Sequence, residues 1–145
     1  KAKQNYLEAF ETLKEELQYL QLYLDIEKVR FGHRLATSID YDAAIDELKL
    51  PALLLQPIME NAIKFGLYDT IEEIEIRLKA VKEENNLVII VTNPFDPETS
   101  TPRQGTGFGL QSVQRRLFLL FARTDLVSTE AKENIFTTTI KIPQA

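Results

Sequence analysis

Between Ile71 and Thr92 the chain carries two apolar segments of different rhythm, and together they fix the class of fold. In 71–80, Ile74, Ile76 and Leu78 alternate with Glu73, Glu75, Arg77 and Lys79, which predicts a strand with one apolar and one charged face. Leu87 to Thr92 is almost uninterrupted in apolar residues, the pattern of a strand buried more deeply. Asn85-Asn86 supplies the turn, so the two form an antiparallel hairpin with one wet face. A sheet with one dry face must cover it, and the rest of the chain offers helices to do so. Leu35–Asp42 alternates again, Asp125–Glu130 is a short strand, and the β-branched run Phe136–Ile142 closes the sheet before Pro143. Strands and helices mixed in this order predict an α/β fold, a two-layer sandwich with helices on one face of a mixed sheet.

Residues 1–31 read as one long N-terminal helix, with Thr12-x-x-Glu15 as a capping box that starts or restarts it. Leu13, Leu17, Leu20 and Leu24 form one face, and Tyr19, Leu22, Ile26 and Val29 are expected to widen it. Such a helix packs on its own domain or on a partner helix. Gly32 ends it. His33, the single histidine, follows at a helix end, where an imidazole is commonplace.

Leu50–Leu67 reads as a buried helix striped by Leu53, Leu54, Ile58, Ala62 and Ile63. Pro51 suits its first turn and Gly66 its end, whereas Pro57 falls mid-helix and should kink or restart it. Beyond that break sit Glu60, Asn61 and Lys64, with Asn61 and Lys64 about one turn apart. A carboxylate, an amide oxygen and an ammonium together can hold a metal ion and the phosphates it bridges. An amphipathic helix with a solvated polar edge has the same composition. Further on, Gly105-Thr106-Gly107-Phe108-Gly109-Leu110 reads as a glycine-rich turn feeding a helix that runs to about Ala122. Such a turn offers backbone N–H groups to an anion, or serves as a plain hinge. It lacks the Lys-Ser/Thr ending of a P-loop and does not follow the strand that a dinucleotide fingerprint needs.

At 145 residues the chain is long enough for one domain with a full core. Its net charge of −5 argues against a nucleic-acid partner, and any polyanion must be held by local cations. The absence of cysteine excludes disulfides and thiolate metal sites. No stretch approaches the ~18 apolar residues of a membrane span. The chain opens in helix-like sequence without Met, as expected of a piece of a longer protein, so a membrane anchor of that parent would not be visible in it.

Taken together, LLLQPIMENAIKFGL resembles the N box, and GTGFGLQSVQRRL the second glycine box, of the LytS-type sensor histidine kinases within the GHKL ATPase superfamily. TLKEELQYLQLYLDIEKVRFGHRL resembles the helix that precedes that family's ATP-binding domain, and the resemblance covers nearly the whole chain. It implies the Bergerat ATP-binding fold, with residues 1–32 leading from a dimerising, phosphoacceptor region and 33–145 forming the ATP-binding domain. It implies ATP and Mg²⁺ as cofactors, with Asn61 as the Mg²⁺ ligand and Glu60 beside it as a catalytic group. Lys64 would neutralise phosphate, Gly105, Thr106, Gly107, Gly109 and Leu110 would wrap it, and Arg116 or its neighbour Arg115 would reach it. Pro94–Gln104 would form the lid. The implied reaction moves the ATP γ-phosphoryl to a histidine upstream of this chain and then to a response regulator. A homodimer through the N-terminal helix and the upstream region is implied too, in a cytoplasmic domain of a parent anchored in the bacterial inner membrane.

The pattern departs from the family at the first glycine box. The family places an Asp just after this strand to accept the adenine amino group, followed by glycines; here the strand ends Val91-Thr92-Asn93-Pro94-Phe95-Asp96. Asn93 takes the Asp position, and its amide oxygen still accepts a hydrogen bond. Phe65 stands where the family often has a histidine. These departures leave open a second reading, a non-catalytic Bergerat-fold module kept for dimerisation or partner binding.

Overall fold

The computed structural model describes residues 9–67, 72–94 and 102–144, with the side chains of 65, 67 and 102–109 outside that description. Its elements run β1 (Phe10–Thr12), α1 (Leu13–Phe31), β2 (Leu35–Tyr41), β3 (Lys49–Pro51), α2 (Gln56–Leu67), β4 (Ile74–Glu83), β5 (Asn86–Pro94), α3 (Pro102–Phe121), β6 (Val127–Lys132) and β7 (Ile135–Pro143). A five-stranded sheet has the order β2-β4-β5-β7-β6, and β1 pairs separately with β3. β2 lies parallel to β4, Leu35 opposite Ile74, and the crossover between them carries α2. The remaining pairs of this sheet are antiparallel.

The expected hairpin is β4–β5. Ile74, Ile76, Leu78 and Ala80 are buried while Glu75, Arg77 and Lys79 are exposed, so the period-two pattern puts one face in water. The turn sits one residue earlier than Asn85-Asn86 suggests: Glu83 pairs with Asn86, and Glu84 takes φ 55°. The β6–β7 hairpin turns through Glu133-Asn134, both at positive φ, the geometry that matches the twist of the flanking strands. One core joins Leu13, Leu17, Leu20 and Leu24 of α1, Ile58, Met59, Ala62 and Ile63 of α2, and Leu110, Val113 and Leu117 of α3 to the inner face of the sheet. All three helices therefore serve the same side of the sheet.

Several boundaries differ from the sequence reading, each for a local reason. The first helix does not run through residues 10–12, which pair with β3; it starts at Leu13 under the capping box. Thr12 Oγ1 accepts the Glu15 N–H at 3.1 Å and Glu15 Oε1 accepts the Thr12 N–H at 3.0 Å. Those two donors have no partner inside a helix, and the box satisfies both. Nor do Tyr19, Leu22, Ile26 and Val29 widen the buried stripe. At 3.6 residues per turn they point roughly 170° away from the buried leucines, and they are 56–87 % exposed. Gly32 closes the helix at φ 60°, a conformation that suits glycine.

The central helix is shorter than expected. Pro51 ends β3, Leu53 sits in a turn at φ 59°, and the helix begins only at Gln56. Pro57 is thus a first-turn residue, where its missing N–H costs nothing, and not a mid-helix break. Gly66 lies inside the helix, and a Cβ there would meet the side chain of Ile74. Of the expected lid, Pro94 is the last residue of β5, 95–101 lie outside the described residues, and 102–104 open α3.

Candidate functional site

Helix α2 carries Glu60, Asn61 and Lys64, and it packs against α3 and the strands β4 and β5. The order of the sheet agrees with this: α2 is the crossover between β2 and β4, at one end of the strand order, and it lies against β4 and β5. Glu60 is exposed and accepts a hydrogen bond from Gln56 Nε2 at 3.1 Å, one helical turn back. Lys64 is exposed as well. Asn61 is only 7 % exposed, so it sits at the edge of the core and not on an open polar rim.

Asn93 lies near the end of β5 opposite Phe136 of β7 and is 3 % exposed. Its Nδ2 donates to the Pro94 carbonyl at 3.0 Å, which commits the amino half of the amide locally and leaves the oxygen half as the side chain's acceptor. Gly105, Thr106, Gly107 and Gly109 lie within α3, which begins at Pro102. The expected turn ahead of the helix is therefore helical here, although each glycine costs about 1 kcal/mol relative to alanine in such a position. Leu110 is buried in the core and Arg116 is half-buried. With Leu53, Arg115 and Leu119, Arg116 lines a groove of about 490 Å³ that Asn61, Lys64 and Asn93 do not line. The fold thus packs α2 against both β5 and the glycine helix, while Arg116 lines a groove that it shares with the turn ahead of α2.

Sequence reasoning missed Glu16. Its carboxyl reaches from α1 to the turn ahead of α2, where Oε1 accepts the Leu53 N–H at 2.9 Å and Oε2 the Leu55 N–H at 2.8 Å. Glu11 Oε2 approaches the Leu53 N–H at 3.3 Å. Burial, reinforced by the neighbouring Glu11, pushes the Glu16 carboxyl up to about 7, against the lowering pull of the two N–H groups. The signal was present: Glu16 stands three residues after Leu13 and four before Leu20, in phase with the buried leucines.

No family model matches the chain. Among known proteins it is 30 % identical over 138 residues to the sensor histidine kinase BtsS of Escherichia coli K12, covering 92 % of this chain and 24 % of BtsS. It is 33 % identical over 121 residues to the sensor protein LytS of Staphylococcus saprophyticus, covering 76 % of this chain and 20 % of LytS. The catalytic domain of histidine kinase ThkA superposes with a TM-score of 0.67 at 18 % identity, covering 93 % of this chain and 94 % of that domain. The chain belongs to the LytS-type sensor histidine kinases. It spans about a quarter or less of the BtsS and LytS chains, and its fold is that of a histidine kinase catalytic domain. ThkA has also been solved in complex with the response regulator TrrA, a structure that matches this chain with a TM-score of 0.62 at 17 % identity. In this histidine kinase domain the N-box resemblance falls on α2 and the second glycine box on α3, two helices packed on each other. Among the described residues no group of three or more His, Cys, Asp or Glu side chains is placed to hold a metal. The Asn61 amide oxygen is a hard donor, so the donor set fits an ion such as Mg²⁺ that takes its other ligands from phosphate and water.

Proposed function

We propose that this segment is the ATP-binding catalytic domain of its parent kinase, moving the γ-phosphoryl of ATP to a histidine elsewhere in that protein and from there to a response regulator. The observation that carries the reading is Asn61, held at the edge of the core on a helix packed against both β5 and the glycine helix. ATP and Mg²⁺ are the proposed cofactors. Asn61 would ligate the ion and Glu60 would orient the water or phosphoryl group beside it, while Lys64 neutralises phosphate as a point charge. Asn93 would accept the adenine amino hydrogen through its oxygen. Backbone N–H groups of Gly105, Thr106, Gly107, Gly109 and Leu110 would face phosphate, and Arg116 would add a cation. Mg²⁺ supplies charge neutralisation on the phosphates, and the chain's own work is positioning.

The division at residue 32 is then one of role and not of packing, since α1 shares the core of the domain. The exposed stripe Tyr19, Leu22, Ile26 and Val29 has the 3-4-3 spacing of a coiled-coil seam, which supports the proposed homodimer through this helix. The complex of ThkA with TrrA supports a response regulator as the partner. No helix among the described residues is long and apolar enough to cross a membrane, and we place the segment on the cytoplasmic side of an inner-membrane parent. The test is labelling of the parent protein with γ-³²P ATP. Acid-labile phosphohistidine should form in the wild type, vanish in Asn61→Ala and persist in His33→Gln. Label that survives Asn61→Ala, or that depends on His33, refutes the assignment.

A further inference from the structure

The residues that precede α2 carry no polar side chain. Ala52, Leu53, Leu54 and Leu55 lead into Gln56, so the helix has no Ser, Thr, Asp or Asn of its own to meet its first N–H groups. Prolines at 51 and 57 remove two donors from the same stretch. Backbone carbonyls meet part of the remainder: the Ala52 N–H donates to Ala9 O at 2.8 Å, and the Ile58 and Met59 N–H groups both reach Leu55 O at 3.1 Å. The N–H groups of Leu53 and Leu55 go to Glu16, a residue 2 % exposed on a different helix. Leu53 meanwhile holds φ 59° with its side chain 55 % exposed, a left-handed conformation that its own packing does little to support.

We propose that Glu16 is a positioning residue for the nucleotide site: by accepting the Leu53 and Leu55 N–H groups it sets the turn from which α2 starts, and thereby the placement of Glu60, Asn61 and Lys64. A carboxyl group is the right tool because both of its oxygens accept, and one side chain can satisfy two N–H groups two residues apart. Glu11 of β1 also approaches the Leu53 N–H, and β1 is itself tied to β3, the strand that delivers the turn. On α1 the nearest other carboxylate, Glu15, is occupied with the capping box. Helix α1 thus acts on the site without touching nucleotide.

The inference rests on the proposed role of Asn61, so its test has one arm that needs no nucleotide. In Glu16→Gln one oxygen is replaced by an NH₂ group that faces an N–H, whereas Glu16→Asp keeps two acceptors on a shorter stem. In the nucleotide-free 145-residue chain, the NMR signals of the Asn61 side-chain amide should move in Glu16→Gln and return toward the wild-type position in Glu16→Asp. Hydrogen exchange at the Leu53 or Leu55 amide should accelerate alongside. In the second arm, Mg²⁺-dependent ATP binding should weaken about tenfold in Glu16→Gln, the lower end of what partners behind a metal ligand are worth. An Asn61 signal that stays in place in a folded Glu16→Gln chain overturns the proposal, whatever the melting temperature does. If the wild type binds no ATP, the assignment of the nucleotide site fails, and the Asn61 signal still decides whether Glu16 positions the helix.

Discussion

The Glu16 carboxyl makes the stability of this domain depend on pH in a direction opposite to that of most carboxylates. Its folded-state pKa is pushed up from 4.5 to about 7 by burial and by Glu11, so between those values the folded chain holds a proton that the unfolded chain has released. Stability from this group is therefore complete below about pH 4.5 and is lost as pH rises through 7. At 1.36 kcal/mol per unit, the interval corresponds to at most about 3.4 kcal/mol, and on the order of 2 kcal/mol once water reaches part of the site. Urea unfolding of the wild type and of Glu16→Gln at intervals from pH 5 to 8 isolates the term, because the other titrating groups cancel in the difference. The wild type should lose about 2 kcal/mol relative to Glu16→Gln across that range, most of it between pH 5 and 7. Glu11→Gln should shrink the slope by removing the like charge. Parallel stability curves for wild type and Glu16→Gln would refute the buried, proton-holding carboxyl; a wild type that gains on the variant with rising pH would reverse the sign and refute it more strongly.

Thr12→Ala removes the side-chain acceptor of the capping box and should cost about 1 kcal/mol in urea unfolding, with helix α1 still formed. Ile26→Asp, on the exposed stripe, should leave the melting temperature of the 145-residue chain within a few degrees while weakening dimerisation of the parent protein, read by sedimentation. Asn93→Asp forfeits the bond to the Pro94 carbonyl and buries a carboxyl, costing about 1–2 kcal/mol in the nucleotide-free chain. That cost grows with pH, because burial raises the folded-state pKa of the new group and its stability contribution is lost as pH rises. ATP binding by Asn93→Asp should nevertheless tighten several-fold and GTP binding should not, since a charged acceptor meets the adenine amino group better than an amide does.

The fold was legible wherever a single period governed a segment. The strict alternation of Ile74 to Lys79 and the β-branched run before Pro143 each placed a strand within a few residues of its observed span. Legibility failed where a distant partner decided the structure. Phe10–Thr12 continues the apolar pattern of the helix after it, yet pairs with β3, a segment some forty residues away that no local rhythm announces. Leu53 and Leu54 matched a helical stripe, but Pro51 and Pro57 placed six residues apart left room for a turn that Glu16 stabilises from another helix. The second apolar stripe of α1 could have been assigned by angle alone, since residues 19, 22, 26 and 29 point away from 13, 17, 20 and 24. For the site, Asn61 and Lys64 were found through their motif, whereas the burial of Asn61 and Asn93 depends on tertiary packing. The helical state of Gly105–Gly109 runs against their intrinsic preference, and no local signal indicated it.

Calorimetric titration of the 145-residue chain decides whether it binds ATP through a metal ion held by Asn61. Wild type and Asn61→Ala, the latter first shown to be folded by its melting transition, are titrated with ATP in the presence of Mg²⁺ and again with Mg²⁺ chelated. The wild type should bind ATP more tightly with Mg²⁺ than without, and Asn61→Ala should lose that difference while remaining folded. Binding that is indifferent to Mg²⁺ in the wild type, or a Mg²⁺ effect that survives in Asn61→Ala, would contradict the account.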